Sequence, residues 1–157
     1  MFREMRRWKQ ALTKEQCEQI LTEEKRGVLA VLGDEGYPYT VPINFYYEDG
    51  KIFFHGAAQG HKADAIRACD KVSFCVMDRG FKENPDDYFW YVNSVVVFGR
   101  MRMLEDREEV IAYARKLGLK YFPTPESVEE GIAKSGHLVQ CFELTIEHMS
   151  GKLVHEE

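Results

Sequence analysis

Between residues 28 and 55 the chain breaks into short β-forming runs separated by tight turn signals, and this punctuation limits the folds open to it. Val28-Leu29-Ala30-Val31-Leu32 is a continuous apolar run, which reads as a strand covered on both faces. Gly33-Asp34-Glu35-Gly36 then turns the chain. Residues 37–47 are rich in aromatic and β-branched side chains, but Pro38 and Pro42 interrupt them. Proline cannot donate to a strand ladder, so these positions mark an edge, a bend or a bulge. Asp49-Gly50 is a strong hairpin signal, and residues 51–55 form the returning strand.

The remaining elements fit around that sheet. Thr13 with Gln16 predicts a capped helix ending at Gly27, with Cys17, Ile20 and Leu21 inward. Residues 61–69 predict a short helix with Ala63, Ala65 and Ile66 inward, and residues 71–77 another strand. Residues 78–87 are polar and loop-like. Residues 91–104 predict a long strand with a bulge at Gly99. Asp106 and Glu109 open a helix carrying Val110, Ile111, Ala114 and Leu117 inward, with Gly118 at its C-terminal cap. Thr124-Pro125 starts a further helix. In the last strand Phe142, Leu144 and Ile146 alternate with Glu143, Thr145 and Glu147. The reading is mainly β: about six antiparallel strands in a small barrel or sandwich with peripheral helices. A doubly wound parallel fold is disfavoured, since neither G-x-G-x-x-G nor a Walker A sequence is present.

A length of 157 residues suits one domain with one core, residues 1–26 forming a helical segment packed on the barrel. The net charge of -5 disfavours a broad nucleic-acid footprint. Cys17, Cys69, Cys75 and Cys141 lack C-x-x-C spacing and read as reduced, mostly buried thiols of a cytoplasmic protein. No apolar run reaches bilayer length, and no apolar stretch follows the basic N-terminus. Five histidines (His55, His61, His137, His148 and His155) show no i, i+4 pair, so no metal site is expected. Phe81, Tyr88, Phe89, Trp90 and Tyr91 read as interface or core packing, or as a cover over a ligand.

The chemistry-bearing segment is His55-Gly56-Ala57-Ala58-Gln59-Gly60-His61-Lys62. A strand ends at His55, small residues let a ligand approach the backbone, and a helix begins at His61. A helix N-terminus offers unpaired N–H groups and the positive end of a dipole. A lysine there opposes the dipole unless an anion lies between them. Taken alone, the segment reads more readily as a plain strand–turn–helix connection, since small loops before helices are common. The strand from Val41 to Asn44 adds backbone groups and an amide along which a planar ring can lie.

Together with Ser94-Val95-Val96-Val97-Phe98-Gly99-Arg100, these segments resemble the flavin-binding split β-barrel proteins related to pyridoxamine-phosphate oxidase, and more closely the nitroimidazole-resistance branch. Also similar are Met5-Arg6-Arg7, Gly27-Val28-Leu29-Ala30, Gly36-Tyr37-Pro38-Tyr39-Thr40 and Met149-Ser150-Gly151-Lys152. The resemblance implies a six-stranded antiparallel split barrel binding FMN, in a homodimer with flavin at the subunit interface. It implies a flavin ring near Val41, Pro42, Ile43 and Asn44, and a phosphate near His55, Gly56, Ala57, His61 and Lys62. Ser94 and Val95 would approach from a neighbouring strand of the same chain or of the partner. His61 stands where many relatives carry arginine, which makes that contact pH-sensitive. The substrate-phosphate arginines expected of a pyridoxamine-phosphate oxidase are lacking. The implied activity is reduction of small planar acceptors such as nitroimidazoles by NAD(P)H, with His55, Tyr46 and Asn44 as candidate proton donors. The alternative is a protein that stores or senses flavin or haem without turnover. No membrane or nucleic-acid partner is expected.

Overall fold

The structure, a computed structural model, describes residues 1–155. Seven strands form one antiparallel sheet: β1 (Arg26–Leu32), β2 (Pro38–Asn44), β3 (Tyr46–Glu48), β4 (Lys51–Gly56), β5 (Lys71–Met77), β6 (Tyr91–Met103) and β7 (Gln140–His155). Their spatial order is β2-β1-β5-β6-β7-β4-β3. The sheet has one strand more than the sequence suggested, because the run 37–47 is split at Phe45. That split sets the shape. Strands β2 and β3 lie at opposite edges of the sheet yet are joined by the single residue Phe45. Laid flat, seven strands would span roughly 29 Å at about 4.8 Å spacing, whereas one residue reaches only about 3.5 Å. The sheet therefore curls until its edges approach each other, as a split barrel does.

Four helices surround it: α1 (Lys14–Glu23), α2 (His61–Ala68), α3 (Arg107–Tyr121) and α4 (Pro125–Ser135). Thr13 and Gln16 form the expected capping box. Thr124 and Ser127 form a second, with Pro125 in the first turn. Asp106 caps α3, but through the Glu108 amide. Two glycines are placed differently from the sequence reading. Helix α1 ends at Glu23, and Gly27 lies inside β1, where a Cβ would come within 2.2 Å of the Phe74 ring. Helix α3 runs on through Gly118, whose bare backbone lets Val128 of α4 approach; a Cβ there would lie 2.8 Å from it. Both positions are closed to side chains by packing and not by a turn.

The barrel interior is filled by Leu29, Val31, Phe54, Phe74, Val76, Val95, Val97, Phe142 and Leu144. Strand β1 is not covered on both faces, as its continuous apolar run had suggested. Its burial alternates, with Gly27, Leu29 and Val31 inside, and Val28 and Leu32 out. On the same outer face lie Met77 of β5 and Phe98 of β6; exposures are 40% for Val28, 53% for Leu32, 66% for Met77 and 40% for Phe98. The expected bulge appears at Gly99, where the β6–β7 register shifts and a Cβ would sit 2.2 Å from the Thr145 carbonyl oxygen. In β7 the alternation holds for Phe142, Leu144, Thr145 and Glu147 but fails at Glu143. Glu143 is buried and held by Lys51 at 3.2 Å and Arg102 at 3.0 Å. All four cysteines are free thiols, but only Cys17 and Cys141 are buried and Cys75 is exposed. Among the described residues, no helix is long and apolar enough to cross a membrane.

Candidate functional site

Curling of the sheet brings the end of β2 to the end of β4. There Arg26, Pro42, Ile43, Asn44 and His55 line a cleft of about 430 Å³. Arg26 enters through register, being paired with Asn44 across the β1–β2 ladder. It was not legible as a site residue, because nothing in sequence separates the first residue of a strand from any other surface arginine. Strand β2 is a sheet edge that pairs only with β1, so the backbone groups on its other side are open to a ligand. The side chains of Val41 and Ile43 pack toward the core, while Thr40, Pro42 and Asn44 face outward. Along this strand Val41 offers its backbone, and Asn44 its amide.

The phosphate-type segment lies beside this cleft. Strand β4 ends at Gly56, and α2 begins after Gly60, whose φ of 115° suits glycine. No side chain caps the α2 N-terminus, so its first amides remain available to an anion. The Lys62 ammonium folds back over the end of β4. It lies 4.9 Å from the Phe54 ring centre and 5.9 Å from that of Phe142, and a Cβ on Gly56 would be 3.3 Å away from it. It has no hydrogen bond or ion pair with any described residue. Burial alone lowers its pKa below that of a free lysine. The pKa of His55 is lowered too, first by burial and then by the Lys62 charge, although the residue keeps substantial exposure to solvent.

Lys120 shows what a satisfied lysine looks like in this molecule. Its ammonium donates to the Glu24 carbonyl at 2.6 Å and the Phe45 carbonyl at 3.1 Å, over the Phe45 ring. Burial, and then Lys25, lower its pKa to about 8. Both lysines lose water, but only Lys120 gains oxygen acceptors in return. A desolvated ammonium with no acceptor is costly unless an anion joins it.

Other predicted residues lie differently. The His61 ring stacks on Tyr39 at 4.2 Å and accepts a hydrogen bond from the Asp34 amide at 3.4 Å, turning toward the β1–β2 turn. Ala57 lies in the exposed loop after β4. Tyr46 is under α3, donating to Glu48, which also holds Lys116; it does not line the cleft. Its hydroxyl pKa is raised by burial and by Glu48. Ser94 pairs with Met77 of β5 and faces the same outer side of the sheet as Val28, but it is not among the residues that line the cleft. Val95 is wholly buried in the core. Within one chain, neither Ser94 nor Val95 reaches the cleft.

The cleft, then, gathers three polar groups, Arg26, Asn44 and His55, with Lys62 close enough beside it to act on His55. The side chains of Arg26, Asn44, His55 and Lys62 make no hydrogen bond or ion pair with any described residue. Two of them are cations in a chain whose net charge is -5. Such a site favours an anionic ligand that also has a planar or apolar part resting on Pro42 and Ile43.

Comparison with known proteins supports the architecture. The family profile of pyridoxamine 5'-phosphate oxidase matches residues 13–153. A crystal structure of a candidate 5-nitroimidazole antibiotic resistance protein from Bacteroides thetaiotaomicron superposes with a TM-score of 0.77 at 20% identity, covering 92% of this chain and 87% of that one. A FAD-binding protein from Mesorhizobium loti gives a TM-score of 0.64 at 26% identity over 92% and 96% of the two chains. A flavocytochrome from Azotobacter vinelandii gives 0.79 at 18% identity over 96% and 72%. A search of curated proteins finds no match. With the profile spanning nearly the whole chain and the split-barrel sheet in place, the chain belongs to the pyridoxamine 5'-phosphate oxidase family.

Proposed function

We propose that this protein binds FMN in the cleft between β2 and β4 and serves as an NAD(P)H-dependent reductase of small planar acceptors such as nitroaromatics. The observation that carries the reading is the convergence of Arg26, Asn44 and His55, with Lys62 beside them and none of the four hydrogen-bonded to a described residue, at an open strand edge. Lys62 and the free α2 amides suit a phosphate. The open edge of β2, with Asn44, suits the hydrogen-bonding rim of an isoalloxazine ring. Membership of the family bears on the fold and not on the substrate. Bound flavin supplies the redox chemistry; the chain supplies the phosphate anchor, the ring's orientation and His55. Burial and the Lys62 charge favour the neutral form of His55, which donates from one ring nitrogen and accepts at the other without adding charge.

A homodimer belongs to the same proposal. The outer face bearing Val28, Leu32, Met77 and Phe98 is apolar and open to solvent except where Phe2 stacks on Phe98, and such patches are rare on monomers. A second copy seated there would also lie against Ser94, which pairs with Met77 on that face.

The test is binding of FMN and riboflavin to the purified chain, followed by flavin fluorescence. FMN is expected to bind more tightly than riboflavin. Lys62→Ala should weaken FMN about 10- to 100-fold, the scale of one charge-assisted contact, and leave riboflavin unchanged. Equal loss for both would remove the phosphate assignment. Bleaching of the bound flavin by NADPH without oxygen, and its recovery with a nitroimidazole, tests the reductase. A flavin spectrum unmoved by NADPH would leave a binding protein, and a Soret band would replace flavin by haem.

A further inference from the structure

A second cavity opens from the same two residues. About 340 Å³ of space lies between α3 and α4, walled by Leu117, Tyr121, Phe122, Val128 and Ile132, with Asn44 and His55 at its mouth. Its size is within the range of small-molecule sites. Its lining carries no carboxylate, lysine or arginine. The Tyr121 hydroxyl is already committed to the backbone of Lys25 and Phe45. The lining is otherwise apolar and aromatic, its remaining polar side chains being Asn44, His55 and Ser135.

One residue argues that this space is kept open. Gly131 stands in the middle of α4 and lines the cavity. Glycine in a helix interior weakens the helix relative to alanine. For Gly118 and Gly136 packing explains the absence of a side chain, since a Cβ would meet Val128 at 2.8 Å and the Ile132 carbonyl oxygen at 2.4 Å. At Gly131 the nearest neighbour to a Cβ would be the Phe122 ring at 3.8 Å, an ordinary contact. No packed neighbour forbids a side chain there; what it would take up is the cavity.

We infer that the α3–α4 cavity is a binding site for an uncharged aromatic ring compound that enters past Asn44 and His55. Its ligand being the apolar end of the flavin's acceptor rests on the function proposed above. The site itself rests on the cavity and on Gly131. The arrangement favours acceptors with a ring or aryl substituent over equally reducible compounds without one, because the substituent exchanges water for the cavity wall.

The experiment is binding of 1-naphthol to the full chain, measured by ligand-observed NMR, in the parent protein, Gly131→Leu and Ala133→Leu. Ala133 is exposed on α4 and does not line the cavity. Gly131→Leu should weaken naphthol binding at least tenfold while its helical circular dichroism and thermal midpoint are kept or raised; Ala133→Leu should change nothing. Gly131→Ala, which adds one methyl group, should give an intermediate loss. Naphthol that fails to bind, or binds Gly131→Leu as well as the parent, overturns the inference. The FMN titration is run on the same samples. Naphthol binding that depends on residue 131 in a protein that ignores FMN would keep the cavity site and sink the flavin function; the reverse pattern would sink the cavity site alone.

Discussion

The two faces of β1, β5 and β6 are built from nearly the same kinds of residue and meet opposite surroundings. Inside, Leu29, Phe74, Val76, Val95 and Val97 are shut from water. Outside, Val28, Cys75, Met77 and Phe98 stand open on neighbouring strands. Apolar character therefore does not distinguish a core from a surface waiting to be covered. The two differ in what closes them: the inner face by the curl of its own sheet, the outer face, in our reading, by a second copy.

The largest test of that contrast is Phe74→Ala. Phe74 packs edge-on to Phe45 and fills the space that Gly27 leaves. Its removal should cost about 3–5 kcal/mol, read as denaturant unfolding free energy. Next is Val28→Glu on the outer face. In a dimer it would bury an unpaired carboxylate, so dissociation should become at least about 100-fold easier, as seen by sedimentation, with the subunit still folded. A parent chain that sediments as a monomer at all concentrations would break the comparison.

A third test concerns charge inside the shell. Lys120, held by two carbonyls, has a pKa near 8 against 10.5 for a free lysine. Between those values the unfolded chain keeps a proton that the folded chain has shed. Stability gained from this group should therefore rise with pH over that window, by up to about 1.4 kcal/mol per unit, and fall as pH drops toward 8. Lys120→Met should lose that rise, which the difference between two urea series reports. The smallest effect is expected for Phe98→Ala, exposed beside Phe2 and His148. Measured on Val28→Glu subunits, it should cost less than about 1 kcal/mol.

Local chemistry made much of the fold readable. The Thr13 capping box, the Asp49-Gly50 turn and the Pro125 helix start are each set by residues within a few positions of one another. The break at Phe45 was not readable, because what ends β2 is a pair of hydrogen bonds with Tyr121, 76 positions away. Glu143 was misplaced for a similar reason: Lys51 and Arg102, distant in sequence, make its burial tolerable. Of the site, the end of β4, the small loop and Lys62 were visible as a pattern. Arg26 and the α3–α4 cavity were not, since both depend on which strand ends and helix faces the curl brings together.

That curl also orders the assembly of the molecule in time. Strand β7 lies between β6 and β4, so it alone joins the sheet β2-β1-β5-β6 to the hairpin β3-β4 by strand pairing. A ribosome makes it last of the seven. Until it emerges, the hairpin has no lateral neighbour and the barrel cannot shut. The cleft shared by β2 and β4 should therefore be among the last features to form, in a slow step set by long-range pairing. During that interval both the outer face and the open interior of the nascent sheet face water, which makes this the stage most exposed to aggregation.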